Sequence, residues 1–317
     1  MVDVSTPTNL PDFADLDLSF DIIDSHHHLF DLREVYYPWL TDHHEEHFLL
    51  GNYEALKQNY GPADFRADAA PLRVVKTVHV EAETDREAQV AETEWLLTQS
   101  ASHGLPDAIV AHAWFHEDNS ADILAAQASI PAVRGIRSKP ITAPNAAHRD
   151  AVAGAPGSLQ DPAWRDGLGR LRQHGLSWDL RVPFWHLVEA AEVCALYPDL
   201  AIVAEHTGLA WDRSAAGLAE WRRGMVALAA MEHVHLKISE LGLAGAPWDY
   251  DDNRTLVREA IEIFGFDRCM FASNFPVAKL RIGYVDQVSA IAHMIKDCSK
   301  AERGALFHDT AKRFYRL

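Results

Sequence analysis

The sequence places polar side chains at the ends of short apolar segments, and the clearest case is the histidine run at 26–28. Side chains alternate between the two faces of a β-strand, so His26 and His28 would share one face and His27 would take the other. Two imidazoles on one face can bind a divalent cation such as Zn, Mn or Fe. The competing interpretation is a pair of hydrogen-bonded structural histidines.

Other apolar segments end in groups that would complete such a site. The second ends at Glu81, a carboxylate that could serve as a ligand or a base, and the sixth ends at His206, a third imidazole. Burying such groups is costly unless they are paired or bind a metal. The remaining polar groups near segment ends include Arg137, Asp179, Arg181, Lys237, Glu240 and Asn274.

These groups belong to eight short segments rich in Val, Ile and aromatic residues, which predict β-strands. Segments with helical periodicity lie between most of them. The alternation predicts an α/β fold, a (β/α)8 TIM barrel whose site lies at the C-terminal ends of the strands. The predicted strands are 20–25, 74–81, 108–115, 133–138, 177–182, 201–206, 233–239 and 269–274. The predicted helices are 86–102, 120–129, 162–174, 186–197, 215–231 and 255–264.

An open doubly wound sheet is the alternative fold, but the glycine-rich phosphate-binding turn typical of it is absent from the sequence. Two long loops, 29–73 and 139–160, follow strands 1 and 4 and would lie over the site of a barrel. The first contains Trp39, which could wall a pocket. We expect residues 1–19 to form an N-terminal extension and residues 20–317 to form a single domain.

The composition excludes several classes of function. Asp and Glu number 46 against 29 Lys and Arg, and the formal net charge is −17. This balance argues against binding to nucleic acid or to an anionic membrane. Three cysteines without paired spacing predict no disulfide framework. The start of the chain lacks the pattern of a signal peptide, so we expect a cytoplasmic enzyme acting on a small molecule.

Several ordered segments resemble one known family. The segments DSHHHLFD at 24–31 and YPWL at 37–40 are similar to the start of the amidohydrolase-related lactonases. That branch of the amidohydrolase superfamily includes the 2-pyrone-4,6-dicarboxylate, L-fucono- and L-rhamnono-lactonases. The resemblance spans residues 20–317. Further matching segments are 78–82, 133–137, 205–208, 236–239, 268–277 and 309–317.

The resemblance implies a barrel of the metallo-dependent hydrolase type that opens a lactone or a related carboxylated compound by attack of water. It implies that His26, His28 and His206 bind a divalent metal or polarise an oxyanion, with Glu81 as a further ligand or base. Whether the chain forms a homo- or hetero-oligomer stays open.

Two arginines are the candidates for binding an anionic substrate. A planar guanidinium can bind a carboxylate through two hydrogen bonds, which assigns this role to Arg137 and Arg181. Internal ion pairs with Asp179 or Glu205 are the alternative for both. Lys237 and Trp39 are assigned to the substrate as well.

One residue departs from the family pattern. The family usually has an aspartate at the end of strand 8 that activates the attacking water, and here that position is Asn274. An amide cannot accept a proton at neutral pH. Either another carboxylate serves as base, or a metal alone lowers the pKa of water toward ~7 while Asn274 orients it. The candidate bases are Glu81, Asp179 and Glu240.

The third explanation for Asn274 is different chemistry. Two histidines and one carboxylate suit a non-heme metal-dependent oxygenase, mononuclear or dinuclear. A further alternative is a catalytically silent barrel that serves as a subunit of a hetero-oligomer.

Overall fold

Eight parallel strands lie side by side in chain order in the computed structural model, which describes residues 5–317. The ends of the last and first strands are joined by two backbone hydrogen bonds of 2.7 Å. The backbone N–H of Asn274 donates to the His26 carbonyl, and the backbone N–H of His28 donates to the Phe275 carbonyl. The predicted (β/α)8 barrel is confirmed. The strands are β1 Ile22–His27, β2 Val74–Val80, β3 Ala108–His112, β4 Val133–Arg137, β5 Ser177–Leu180, β6 Ile202–Ala204, β7 Val234–Ile238 and β8 Cys269–Phe271.

Helices follow the strands and surround the barrel. The described α-helices are α1 Pro38–Thr41, α2 Pro62–Ala69, α3 Gln89–His103, α4 Ser120–Ala128, α5 Pro162–His174, α6 Leu187–Ala195, α7 Ala215–Ala229, α8 Tyr250–Phe264, α9 Tyr284–Met294, α10 Lys300–Gly304 and α11 Thr310–Tyr315. Each predicted helix has a counterpart here. The long loop 29–73 contains α1 and α2, whereas the second long loop contains the 3₁₀ helix Ala146–Val152.

Local capping signals explain where helices begin. Helix α5 has the predicted bounds because Asp161 accepts from the Ala163 amide and Pro162 takes the first helical position. It ends at Gly175, whose φ of 64° suits glycine. Helix α8 begins at Tyr250, earlier than predicted, because Asp249 caps it by accepting from the Asp252 amide.

The barrel interior is filled from one end by the C-terminal helix. Phe314 and Tyr315 of α11 join the apolar cluster inside the strands, and the Tyr315 hydroxyl donates to Asp179 Oδ2 at 2.8 Å. Helix α11 thus closes the N-terminal end of the barrel, and the C-terminal ends of the strands stay open. The interior residues from the strands are Ile23, Val78, Val80, Ala108, Val110, Val203 and Met270.

A buried glutamate on α3 connects the loops that follow β1 and β2. Glu92 Oε1 accepts from the Ala82 amide at 2.9 Å and from the Tyr37 hydroxyl at 3.1 Å. His79 Nε2 lies 3.4 Å from the same oxygen, and His79 Nδ1 accepts from the Leu29 amide. His79 therefore faces the helix layer and not the candidate site. Burial and the nearby Glu81 raise the pKa of Glu92 to about 8.

The N-terminal segment runs along the helix layer. Thr8 pairs with the chain around α8: its amide donates to the Trp248 carbonyl at 2.8 Å, and its carbonyl accepts from the Tyr250 amide at 3.1 Å. The first four residues of the predicted extension lie outside the described part of the chain. Among residues 5–317, no helix has the length and apolar character needed to cross a membrane.

The Tyr315→Phe variant tests the closure of the barrel by α11. It removes a buried hydrogen bond to the Asp179 carboxylate, so we expect the free energy of unfolding to fall by about 1.5–3 kcal/mol in urea denaturation. The matched control is Tyr36→Phe, because Tyr36 donates to Asp42 at 2.8 Å but is 45% exposed. We expect the control to unfold at nearly the same urea concentration as the wild type, since exposed substitutions have small effects. Equal losses would contradict the assigned role.

The Glu92→Gln variant tests the buried carboxyl group. The folded state raises the Glu92 pKa from 4.5 to about 8, so it favours the protonated form. That stability is present below pH 4.5 and is lost as the pH rises to about 8. The introduced glutamine cannot ionise. As the pH rises through this range, the melting temperature of the wild type should therefore fall relative to that of the variant. The control Glu94→Gln changes an exposed residue of α3 and should show a constant offset.

Candidate active site

The C-terminal ends of the strands surround a cavity of about 320 Å³, the size of a small-molecule site. Its floor contains His28, Arg137, Arg181, His206 and Asn274, which come from the ends of strands β1, β4, β5, β6 and β8. The loop after β1 contributes Trp39, Glu45, His47, Phe48 and Leu49 to its wall. The cavity therefore lies where the barrel fold places catalytic groups.

His26 and His28 face the same side of β1, as the alternation rule predicts. Their Nε2 atoms are 3.2 Å apart, whereas His27 packs on Phe65 on the other side. His28 Nδ1 lies 2.7 Å from the Val80 carbonyl oxygen, which can only accept. The proton of neutral His28 is therefore on Nδ1, and Nε2 carries a lone pair. Burial and Arg137 lower the His28 pKa to about 3, so the ring is neutral.

A second pair of potential ligands comes from the end of β6. Glu205 and His206 are adjacent, so in a regular strand they would face opposite sides. His206 has φ 58°, and this left-handed turn brings both side chains to the interior. His26, Glu205 and His206 can offer ligand atoms that all lie within 4.8 Å of one another. The sequence prediction had Glu81 in place of Glu205, because it assumed regular alternation.

The residues of this cluster fit a divalent cation. Glu205 Oε1 is buried and accepts no hydrogen bond of good geometry among the described residues, with His26 Nδ1 at 3.2 Å and the Lys237 ammonium at 3.7 Å. A buried carboxylate oxygen without a donor is costly unless a cation compensates it. The Nε2 atoms of His26 and His28 are 3.2 Å apart. Two nitrogen ligands that each lie ~2.1 Å from one tetrahedral ion would be ~3.4 Å apart, which is close to this distance.

Glu81 lies in an ion pair and not among the histidine ligands. Arg137 donates through Nε to Glu81 Oε1 at 2.5 Å and through Nη1 to Glu205 Oε2 at 3.2 Å. Burial opposes ionisation of Glu81, but Arg137 lowers its carboxyl pKa to about 2. This geometry argues against Glu81 as a base. It also favours the internal ion-pair interpretation of Arg137 over a substrate clamp.

Lys237 and Asp179 lie below the cavity, inside the barrel. Lys237 Nζ is 2.5 Å from Asp179 Oδ2 and 3.3 Å from His26 Nδ1, and both side chains are fully buried. Neither residue lines the cavity. The roles predicted for Lys237 in substrate binding and for Asp179 as a base stay predictions, and in this structure both side chains lie under His26 in a buried ion pair.

Arg181 is partly buried and forms no ion pair among the described residues. It lines the cavity, and burial together with the nearby Arg137 lowers its pKa to about 10. Its guanidinium is therefore charged at neutral pH and available to an anion. Lys139, which also lines the cavity, forms an ion pair with Glu83.

Asn274 connects the cavity to Glu240. Its Nδ2 donates to Glu240 Oε2, and its Oδ1 lies 3.1 Å from His28 Nε2. Burial raises the pKa of Glu240 to about 7, and the hydrogen bond from the Asn274 side chain is the strongest interaction that opposes this rise. Trp39 forms the opposite wall, where its Nε1 donates to the Ala82 carbonyl and its ring stacks on Phe48. Trp39 thus takes the predicted place in the pocket.

Comparisons with known proteins identify relatives over nearly the whole chain. The protein y4mH of Sinorhizobium fredii (strain NBRC 101917 / NGR234), which is uncharacterized, is 38% identical over 299 residues, covering 93% of this chain and 98% of that protein. L-fucono-1,5-lactonase of Burkholderia multivorans (strain ATCC 17616 / 249) is 27% identical over 307 residues, with coverages of 93% and 96%.

A solved structure and a family model agree with these relatives. The crystal structure of an amidohydrolase from Burkholderia multivorans with bound Zn shares the fold, with a TM-score of 0.75, 24% identity and coverages of 94% and 100%. The sequence model described as Amidohydrolase matches residues 23–317. The resemblance seen in the sequence is confirmed. The chain belongs to the Amidohydrolase family, and it is an amidohydrolase-related hydrolase.

Proposed function

We propose that the enzyme hydrolyses the ester bond of a lactone, or of a related small molecule, that carries a carboxylate. The observation that carries the proposal is the unpaired guanidinium of Arg181 in a cavity that also contains the neutral His28 and the amide of Asn274. The lactonase among the relatives supports a cyclic ester as the bond class. The cavity of about 320 Å³ suits a substrate of that size.

Arg181 is the group that would bind the substrate carboxylate. A guanidinium in a partly buried site binds a carboxylate more strongly than an exposed one does, because water competes less for the ion pair. Arg137 is held by Glu81 and Glu205, so it supports the site from below. Leaving the partly buried Arg181 without an ion pair is unfavourable in the absence of a ligand, which also argues against a catalytically silent subunit.

A divalent metal would be held by His26, Glu205 and His206, with His28 beside them. When bound, it would act as a Lewis acid and lower the pKa of water toward ~7. His28 Nε2 and Asn274 Oδ1 are acceptors that face the same point, so they orient what binds there. This arrangement does not require Glu81 or Asp179 as a base, and both are held in buried ion pairs.

An oxygenase is the second candidate, because the cluster of two histidines and one glutamate is a ligand set that suits non-heme iron. The two functions differ in their need for oxygen. Lactone turnover that is unchanged under anaerobic conditions would favour the hydrolase. Substrate-dependent oxygen uptake by the iron-loaded protein would favour the oxygenase.

The Arg181→Met variant tests the carboxylate contact. Methionine keeps much of the side-chain volume but removes the charge, so a lost hydrogen-bonded ion pair should cost about 1.5–3 kcal/mol. We expect kcat/KM to fall about 10- to 150-fold for a carboxylated lactone and by less than about threefold for a neutral lactone of the same ring size. Arg149→Met, away from the cavity, is the control. An equal loss on both lactones would refute the contact.

The His206→Gln variant tests the metal cluster. Loss of one imidazole should weaken binding of Zn²⁺ by at least about tenfold, since even supporting residues of metal sites have effects of that size. Metal content by plasma mass spectrometry and competition with a chromophoric chelator measure this directly. The control is His47→Gln, which changes a histidine at the wall of the same cavity. A chelated, metal-free enzyme with full activity would rule out the metal-dependent version.

A further inference from the structure

The cavity is apolar on one side and cationic on the other. Arg181 follows β5 and Lys139 follows β4. Six apolar residues in the described part of the chain line the cavity, and four of them come from the loops after β1 and β2: Trp39, Phe48, Leu49 and Ala82, beside Trp211 and Val277. Because eight strands lie in chain order around the barrel, β1 and β5 are on opposite sides of it. Arg181 therefore lies across the cavity from most of the apolar lining.

Three aromatic rings from the loop after β1 form this apolar side. Trp39 stacks on Phe48 with ring centroids 5.6 Å apart and 13° between the ring planes. The ring of Tyr53 is fully buried behind them, 4.5 Å from Phe48 and 5.5 Å from Trp39. The Tyr53 hydroxyl accepts from the Glu45 N–H at 2.7 Å, which fixes the segment between the rings. The aromatic wall is thus preformed, and a ligand that packs on it would order little of the chain.

The aromatic wall has few hydrogen-bonding groups to spare for a ligand. Trp39 Nε1 already donates to the Ala82 carbonyl at 2.8 Å, and the Ala82 N–H donates to Glu92 at 2.9 Å. The Phe48 carbonyl accepts from the Gly51 N–H at 2.8 Å. A hydroxyl group placed against this surface would lose water without gaining a partner, which is unfavourable. An apolar group there would remove apolar surface from water, which is favourable.

The polar groups near the aromatic wall are engaged or exposed. Glu83 forms its ion pair with Lys139. Glu45 and His47 are exposed, so water stays available to them. The floor between the two sides contains the groups that would act on the ester bond, which are His28, His206 and Asn274. A substrate that spans the cavity would therefore meet a cation on one side and apolar rings on the other.

We propose that the substrate is an amphipathic lactone: its carboxylate pairs with Arg181, and its opposite end is an aromatic or aliphatic group that packs on Trp39 and Phe48. Lactones that carry hydroxyl groups at this end are poor substrates. Aromatic groups fit best, because stacking on the wall adds to the gain from buried area. The inference rests on the proposed function and names the substrate class of the same cavity.

Three carboxylates without an ester bond test the proposal by binding alone. Hexanoate and 6-hydroxyhexanoate differ only in a hydroxyl group at the far end, and 3-phenylpropanoate has an aromatic ring there. We expect the full-length wild-type protein to bind hexanoate and 3-phenylpropanoate about tenfold more tightly than 6-hydroxyhexanoate. Isothermal titration calorimetry measures the three Kd values. Equal or tighter binding of 6-hydroxyhexanoate, or no binding of 3-phenylpropanoate, would overturn the proposal.

The Phe48→Ala variant locates the contact. Loss of the ring should weaken binding of 3-phenylpropanoate by about tenfold and change binding of 6-hydroxyhexanoate by less than about twofold. Phe48→Leu keeps the wall apolar and should retain most of the affinity. The control is Phe13→Ala, which removes a half-buried ring that packs on His293 away from the cavity and should change none of the three affinities. Circular dichroism and melting temperature establish that each variant is folded.

Selective loss of 3-phenylpropanoate binding in Phe48→Ala supports the proposal. An equal loss for all three carboxylates would contradict it, because a general disturbance of the cavity would act on each of them. Binding is measured without turnover, so failure to hydrolyse any lactone would refute the proposed function and leave this test intact. An active lactonase without preference for the apolar carboxylates would refute the substrate class alone.

Discussion

A chain of buried ion pairs through the barrel interior is the constraint on which the site depends. It runs from Asp179 through Lys237 and Glu205 to Arg137 and Glu81, with N–O distances between 2.5 and 3.7 Å. Charges inside a protein lose their hydration, so each must be compensated by its neighbours. Removing any one member would leave a partner buried and uncompensated. The polar ends of the strands are therefore fixed as one unit.

This chain also determines which groups remain available for ligands. Three carboxylates face two cations in this chain. Among the described residues, Glu205 Oε1 has only His26 Nδ1 at 3.2 Å and Lys237 Nζ at 3.7 Å as polar neighbours, so it is the carboxylate oxygen of the chain that lies nearest to a potential histidine ligand. Arg181 lies outside the chain and keeps its charge for the cavity. One barrel end can thus attract a metal cation and a substrate anion at adjacent positions.

The sequence was sufficient for the fold and for part of the site. Eight parallel strands were predicted because each has an apolar run bounded by loops, and His26 and His28 share a face because β1 is regular at that point. Glu205 was not predicted as a ligand because the chain turns left-handed at His206. The buried positions of Lys237 and Asp179 could not be predicted, because alternation gives the face of a side chain but not its depth. Depth depends on the stagger of neighbouring strands, which no single strand encodes.

The departures from regular strand geometry explain why the site could not be read fully from spacing. Positive φ occurs at Glu83, His206, Glu240 and Asn274, each just beyond the end of a strand. Three of these four residues, Glu83, His206 and Asn274, line the cavity. A strained backbone conformation persists only where the surrounding hydrogen bonds hold it in place. The buried ion pairs provide that rigid surrounding, so the same interactions that hold the barrel interior together allow its polar rim to depart from regular structure.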